Sequence, residues 1–353
     1  AQAICKLGSQ ALRSPRERPP VFRGGSMAAG LLLLRSGLFV FGAFCYALLN
    51  VLSQLSKEPD GSYAYSMPTV IFAAEFVKLC LSSAFLSVEL GSPGKALQAY
   101  CATPAKTWAL FALPAVLYAV NNNLDMLNNQ YMDPATESVL VQLKILTTGL
   151  AWWFVFKQPL NARKWSSLVL LFAGCCGAGW PSSATKDTMY IEPFGIVLIF
   201  FYVIISATAG VYNEWLYKTL GKDESIHVCN LRIYTVGCLF CLSTHFSTHG
   251  GSGQSLSLST LFHGYNRYTC ALVVTYSMMG LLLAQVMKFF DSIVKLFISA
   301  SSMYASACFT VFLFHRVPSS LFLASMALVT LAILLYNLER IQPLLQPRPK
   351  KEA

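Results

Sequence analysis

Apolar stretches of about 20 residues recur along almost the whole chain, and no other feature of the sequence constrains the fold as strongly. They lie at about 31–51, 68–89, 107–128, 134–156, 165–181, 193–217, 228–246, 268–287, 292–314 and 318–338. A helix needs about 20 apolar residues to cross a bilayer, so the pattern predicts an all-α, polytopic membrane protein with about ten transmembrane helices. Only 12% of the residues are charged, against about 25% in an ordinary globular domain, which fits a surface that faces lipid.

The charged residues outside the spans predict an orientation. Residues 1–26 include five basic residues and precede Met27, so residues 1–30 are interpreted as a disordered cytosolic tail or an upstream extension. Lysine and arginine concentrate at both ends of the chain and in alternate loops, as is typical of the cytosolic side. Both termini are therefore expected in the cytosol, including a C-terminal tail at 339–353. The net charge of +10 is attributed to this topology and not to nucleic-acid binding.

The predicted spans divide evenly around the loop at 181–193. An odd number of spans in each half would make the halves inverted copies of each other. Inverted repeats are common in secondary transporters, which bind their substrates near the midplane of the membrane. The sequence thus predicts two five-helix repeats, at 31–180 and 193–338.

Span three carries the largest group of polar residues. Tyr118, Asn122, Asp125 and Asn129 recur at helical spacing and are expected on one face, which is widened by further asparagines at 121, 123 and 128. Such groups can hydrogen-bond a base or a sugar, whereas lipid satisfies none of them. The alternative is that these amides bind neighbouring helices. We favour a ligand-facing cavity.

Spans four and nine each contain a polar stripe with a lysine. Glu137, Lys144 and Thr148 follow helical spacing in span four, and Lys295 is followed by serines at 299, 302 and 306 in span nine. A cation at the midplane needs an anion, which is either Glu137 or Asp125, or the phosphate of a substrate. We favour the phosphate.

Two other spans contain smaller polar groups. Asn230 and Tyr234 lie one turn apart in span seven, with Arg232 nearby. Glu75 and Lys78 in span two are three residues apart and can neutralise each other, so a structural or coupling ion pair is the preferred interpretation.

Other chemistries have no support in the sequence. Cys238, Cys241, His245 and His249 would extend about 16 Å along a helix, which is too far for one metal ion. The 11 cysteines lie mostly inside spans, where they behave as small apolar residues. No GxxxxGK[ST], HExxH or GxSxG motif is present. We therefore expect no metal, no cofactor and no enzymatic activity.

Several short motifs, taken in their order along the chain, carry a family likeness. They are AEFVKL at 74–79, PAVLYAVNNNL at 114–124, YMDPAT at 131–136, QLKI at 142–145, AGVYNE at 209–214, Asn230 with Tyr234, and MKFFDSIVK at 287–295. Together they resemble the nucleotide-sugar transporters, in the branch of the CMP-sialic acid, UDP-galactose and UDP-N-acetylglucosamine carriers. The likeness covers about residues 35–338.

This resemblance implies a ten-helix carrier of the drug/metabolite transporter type. Such a carrier exchanges a cytosolic nucleotide sugar for a lumenal nucleoside monophosphate across the ER or Golgi membrane. The residues implied to bind the substrate are Tyr118, Asn122, Asn123, Lys144, Asn230, Tyr234 and Lys295, and the two lysines would meet the phosphate.

The chain also departs from the family pattern. Glu137 replaces a tyrosine, Arg232 stands where relatives often have glutamine, and Asp125 adds a second acid. Together with Lys288, these residues are candidates for specificity or gating. One hypothesis is that Glu137 and Asp125 hold Lys144 or Arg232 when the site is empty, or that they repel some substrates.

The sequence also suggests protein partners. Lys350 and Lys351 resemble a cytosolic dilysine retrieval signal that a coat protein recognises, and a plain basic tail is the alternative. A run of small residues at 174–179 in span five is expected to pack against another helix, within the chain or across a homodimer. The rival functions are a membrane scaffold that has lost its pocket, an exporter of another phosphorylated metabolite, and a membrane glycosyltransferase.

Overall fold

A computed structural model of the chain describes residues 25–58, 63–180, 191–249, 261–314 and 318–345. Residues 1–24 of the expected tail, the Gly/Ser-rich loop near 250 and both tail lysines, Lys350 and Lys351, lie outside these ranges. Within them the chain is α-helical, and the one bridge of β type pairs Met132 with Ile191.

The twelve α-helices of the described ranges follow the predicted spans closely. They are α1 Gly25–Leu55, α2 Met67–Leu90, α3 Pro93–Cys101, α4 Ala105–Tyr131, α5 Pro134–Leu140, α6 Lys144–Phe156, α7 Ala162–Gly179, α8 Pro193–Trp215, α9 Ile226–His249, α10 Arg267–Phe289, α11 Ser292–Phe314 and α12 Ser320–Leu345. A 3₁₀ turn at Val141–Leu143 joins α5 to α6, and a π-helical turn at Leu216–Leu220 extends α8. The short helix α3 was not predicted.

Eight helical segments of the described part are long and apolar enough to cross a membrane. They correspond to α1, α2, α5 with α6, α8, α9, α10, α11 and α12. Of the two other predicted spans, α4 is apolar only over Ala105–Tyr118, since asparagines and Asp125 follow, and α7 begins with Arg163 and Lys164. The chain is therefore an all-α, polytopic membrane protein.

A proline inside α4 shows how polar backbone groups are satisfied in such a fold. Pro114 has no N–H, so the carbonyl of Leu110, one turn earlier, loses its helical partner. The Tyr212 hydroxyl on α8 donates to that carbonyl at 3.3 Å. The hydrogen bond joins α4 to α8 at the level of the proline.

Small residues bring α7 and α12 into close contact. A Cβ added at Gly174 would lie 2.8 Å from the Val329 side chain and 3.1 Å from the Ser325 carbonyl oxygen. A Cβ added at Gly177 would overlap the Ser325 hydroxyl group. Gly174 and Gly177 of the small-residue run thus pack against α12 of the same chain, and a homodimer stays a prediction.

One end of the bundle is closed by a cluster of hydroxyl and amide groups. Tyr65 and Ser56 hydroxyls lie 2.6 Å apart, and Asn266 donates to the Ser56 carbonyl at 3.4 Å. Asn266 also caps α10 by accepting from the Thr269 N–H at 2.9 Å. Gly264 approaches this cluster with φ +76°, and an added Cβ would clash with the Ala64 carbonyl oxygen.

Replacing Gly264 by alanine is expected to destabilise the protein by more than ~2 kcal/mol, because left-handed backbone strain and a backbone clash add together. Gly91→Ala is the matched control, since Gly91 has φ +71° but no atom within 4 Å of an added Cβ, so only the strain applies. Thermal unfolding in detergent measures both. Equal shifts in Tm would show that the Ala64 contact is irrelevant.

Candidate functional site

A cavity of about 340 Å³ lies among α2, α4, α8 with its π-helical turn, α9, α10 and α11. Both halves of the chain contribute to its wall. Its polar side chains are Glu75, Lys78, Tyr118, Asn213, Tyr217, Tyr234 and Lys295. Two lysines face one carboxylate here, so the central cavity carries a net positive charge that suits an anionic ligand.

Glu75 and Lys78 form the expected ion pair, with Lys78 Nζ 2.6 Å from Glu75 Oε1. The pair nevertheless faces the central cavity, and Lys78 Nζ lies 4.5 Å from the centre of the Tyr234 ring. Glycines on two other helices leave space for it. A Cβ at Gly237 would lie 3.0 Å from Glu75 Oε2, and one at Gly280 would lie 2.5 Å from Lys78 Cδ.

Tyr118, Tyr234 and Lys295 line the central cavity, as the resemblance implies. Tyr118 comes from α4, Tyr234 from α9 and Lys295 from the first turn of α11. No ion pair holds Lys295 among the described residues, so its charge is available to a ligand.

Asn230 lies behind the wall of this cavity and does not line it. The side chain is 1% exposed, and its Oδ1 accepts a hydrogen bond from the Tyr217 hydroxyl at 2.7 Å. In this structure Asn230 orients Tyr217, which does line the cavity. Asn230 lies one turn before Tyr234 on α9. Tyr217, from the π-helical turn, covers Asn230, whereas Tyr234 reaches the cavity. A direct contact of Asn230 with substrate stays a prediction.

Lys144 lines a second cavity of about 310 Å³, among α1, the α5–α6 segment, α7, α11 and α12. Its polar side chains are Asn50, Ser138, Gln142, Lys144, Ser299, Ser302 and Ser306. The expectation that Lys144 and Lys295 meet one phosphate is therefore not met here. The first turn of α11 borders the central cavity, and the turns that carry the three serines border the second one.

The expected stripe of Glu137, Lys144 and Thr148 does not lie on one unbroken α-helix. The 3₁₀ turn at Val141–Leu143 separates Glu137 from Lys144 and changes the angular step per residue, so the spacing of an unbroken α-helix does not apply. Glu137 lines neither cavity. Asn122, Asn123 and Asp125 lie on α4, and their side chains are outside the described part of the structure.

Arg232 and Lys288 do not line the central cavity, and their expected role in specificity or gating stays a prediction. The Arg232 guanidinium forms a bidentate ion pair with Glu224, of which the Nη2 to Oε1 distance is 3.0 Å, and its Nε donates to Thr103 Oγ1 at 3.0 Å. Lys288 donates to the Glu224 carbonyl at 2.6 Å. Glu224 thus holds Arg232 in this structure. The other part of the hypothesis, that Glu137 or Asp125 holds Lys144 or repels some substrates, stays a prediction.

Two cavity residues were missed in the sequence, Asn213 and Tyr217. Asn213 Oδ1 is buried and has no hydrogen-bond partner among the described residues, so a ligand can supply the missing donor. The two residues are four apart at the end of span six, and this helical spacing was the signal that would have found them.

Comparison with known proteins identifies the family of this fold and cavity. Residues 36–337 match the family model of the nucleotide-sugar transporters. The chain belongs to the nucleotide-sugar transporter family. Its relatives are named as transporters, which fits the expectation that this chain is not an enzyme.

Individual relatives support the assignment over most of the chain. CMP-sialic acid transporter 1 of Oryza sativa subsp. japonica is 32% identical over 78% of this chain and 85% of its own length. The probable UDP-sugar transporter protein SLC35A4 of Bos taurus is 31% identical over 87% of this chain and 92% of its own. A solved crystal structure with 14% identity has a TM-score of 0.61 and covers 88% of this chain and 98% of that one, a similarity that concerns the fold alone.

Replacing Arg232 by glutamine is expected to lower the apparent Tm by several degrees without changing affinity for a nucleotide. The change removes charged hydrogen bonds worth about 1.5–3 kcal/mol each, at a position outside the cavity wall. Thermal unfolding and nucleotide binding measure the two effects. Lys222→Gln, at an exposed position of the loop that carries Glu224, serves as the neutral control. A variant of normal stability that fails to bind nucleotide would place Arg232 in the site after all.

Proposed function

We propose that the protein exchanges a cytosolic CMP- or UDP-linked sugar for a lumenal nucleoside monophosphate. The observation that carries the proposal is the central cavity, where Lys78 and Lys295 face a single acid among tyrosine rings. The rings offer stacking surfaces for a base, and the lysines offer partners for phosphate oxygens. The names of the two relatives favour CMP- and UDP-linked substrates.

In this proposal Lys295, Tyr118 and Tyr234 contact the nucleotide, with Asn122 and Asn123 as further binding residues on α4. Lys144 and the serines of α11 form a second polar region next to the central cavity. Hydroxyl and amide groups suit a sugar, so this region is proposed to accept the ligand in another state of the carrier. Lys295 has no ion pair among the described residues, and a lysine without an anion is costly in the membrane. Crossing with a bound anion is therefore favoured, and exchange prevails over leak.

The helix pairing supports ten spans in two inverted repeats, with α4 as span three and α7 as span five. In such a repeat each span corresponds to the span five positions away in the chain, so α4 corresponds to α10 and α8 corresponds to α1. The pair α4–α8 then corresponds to the pair α1–α10, and the pair α6–α8 corresponds to the pair α1–α11. In the same way, the pair α2–α10 corresponds to the pair α4–α9. All six pairs are packed together, as a two-fold relation between the halves requires.

Two helix starts support the same relation. The N–H of Thr136 donates to Asp133 at 3.0 Å at the start of α5, and that of Val294 donates to Asp291 at 2.8 Å at the start of α11. Each aspartate lies two residues after the preceding helix and four before a charged residue, which is Glu137 in one half and Lys295 in the other. Glu137 in the first half thus corresponds in position to Lys295, the cavity lysine, in the second half.

Counterflow tests the proposal. Proteoliposomes are preloaded with CMP, UMP, GMP or AMP, and for one of these nucleotides they are expected to take up the same nucleotide in labelled form. Lys295→Ala is expected to lower this uptake by at least tenfold because the phosphate loses its cation. Lys222→Gln, outside the cavity, should transport normally. Lys144→Ala tests the second cavity.

Uptake of no nucleotide by folded protein would contradict the proposal. It would instead favour an exporter of another phosphorylated metabolite or a scaffold that does not transport. Glu137 is a departure from the family pattern that could mark a lost pocket, and its position outside the cavity wall weakens the scaffold alternative.

We also propose an ER or Golgi membrane location, with both termini in the cytosol and with the dilysine as retrieval signal. Replacing Lys350 and Lys351 by serine is expected to move the protein to later compartments, because a coat protein would no longer bind the tail. Arg348→Ser is the control for loss of charge in the same tail. Unchanged localisation by fluorescence microscopy would dismiss the signal.

A further inference from the structure

Glu214, at the end of α8, is fully buried, and its carboxylate accepts four hydrogen bonds. Oε1 accepts from Trp152 Nε1 at 3.1 Å and from Lys218 Nζ at 2.6 Å. Oε2 accepts from the backbone N–H of Ser292 at 2.7 Å and from its hydroxyl at 2.6 Å. A carboxylate offers about four acceptor sites, so this one is saturated.

The two oxygens serve different parts of the structure. Oε1 joins α6 to the π-helical turn, through Trp152 and Lys218. Oε2 holds Ser292, the first residue of α11, whose N–H has no partner within its own helix. Glu214 therefore determines where α11 begins relative to α8.

The start of α11 determines the position of Lys295. Lys295 follows Ser292 by three residues and lines the central cavity from the first turn of the helix. A displacement of Ser292 would move the ammonium group with it. Asn213 and Tyr217 also line this cavity, and they precede and follow Glu214 in the chain. Glu214 is therefore linked to both parts of the cavity wall.

A neutral side chain cannot take over this arrangement. In Glu214→Gln the amide group would present N–H donors either to Ser292 or to Trp152 and Lys218, all of which are donors themselves. The Ser292 hydroxyl has a second acceptor, the Gly210 carbonyl oxygen at 3.3 Å, but the Ser292 backbone N–H has no partner within α11. Even where the amide oxygen faces Ser292, its hydrogen bonds are neutral and about half as strong as those of a carboxylate. The change should therefore weaken the hold on the start of α11.

We propose that Glu214 is a positioning residue that holds Lys295 where the phosphate of the ligand lies. This inference rests on the proposed function, because it takes the anion in the central cavity to be a nucleotide phosphate. Glu214 does not touch the ligand in this account, since it lies behind the cavity wall and acts through Ser292.

The test compares ligands with and without a phosphate on the full chain in detergent. Affinities for CMP and cytidine, and for UMP and uridine, are measured by competition for the pair that the wild type binds. Glu214→Gln is expected to weaken monophosphate binding about tenfold or more, and nucleoside binding less than twofold. An equal loss for both ligands would mean general damage to the fold and would overturn the proposal.

A double-mutant cycle with Lys295→Ala provides a readout that a merely structural role would not change. If Glu214 acts through Lys295, Glu214→Gln has no further effect on monophosphate binding once Lys295 is alanine. A full additional loss in that background would overturn the proposal.

Two serine variants on α11 complete the design and remain informative if Glu214→Gln does not fold. Ser292→Ala keeps the backbone N–H but removes the hydroxyl donor, so a smaller loss in the same direction is expected, again confined to the monophosphate. Ser301→Ala is the matched control, because that buried hydroxyl donates only to the Phe297 carbonyl of its own helix. Equal effects of the two variants would contradict the proposal.

A measurement without nucleotide distinguishes a failure of this inference from a failure of the proposed function. If the wild type binds none of the four compounds, the proposed function fails. The position of residue 295 is then measured in Lys295→Cys by the rate of modification with a thiol reagent, with peptide mass spectrometry to identify the site. Glu214→Gln is expected to change this rate several-fold, and an unchanged rate would overturn the positioning role.

Discussion

Polar groups in the hydrocarbon core of a membrane have no water to bind, so protein or ligand must satisfy them. The Leu110 carbonyl, freed by Pro114, accepts from Tyr212 on another helix. Glu214, which would be very costly as an isolated charge, accepts four hydrogen bonds. Such hydrogen bonds determine which helices pack together, because apolar side chains resemble lipid and show little preference for one neighbouring helix over another.

The same constraint distinguishes structural polar residues from candidate binding residues. Arg232, Glu224 and Asn230 find their partners within the protein, and none of them lines the central cavity. Lys295 and the Asn213 amide oxygen, in contrast, reach that cavity with no ion pair or hydrogen bond to another described residue. A polar residue in a span therefore points to function only where the structure leaves it for a ligand.

Sequence patterns anticipated the helices, most of their ends and the family. The boundaries of α2, α10 and α11 agree within a few residues, because long apolar runs with clear caps leave little choice. The 3₁₀ turn before Lys144 and the π-helical turn at Leu216–Leu220 were not anticipated, since neither changes hydropathy. Both change the angular relation between the residues on either side of them, so the spacing of an unbroken α-helix does not carry over from Glu137 to Lys144.

The sequence by itself determined the class of fold, since apolar length decides which segments can leave water, and it determined the membership of the family through ordered motifs. It also named Tyr118, Tyr234 and Lys295, because a polar residue at the depth of the membrane is conspicuous. Only the tertiary structure decided that Lys144 and Lys295 line different cavities and that Glu224 holds Arg232. Those relations depend on how helices distant in sequence approach one another, and the periodicity of a single helix contains no information about its neighbours.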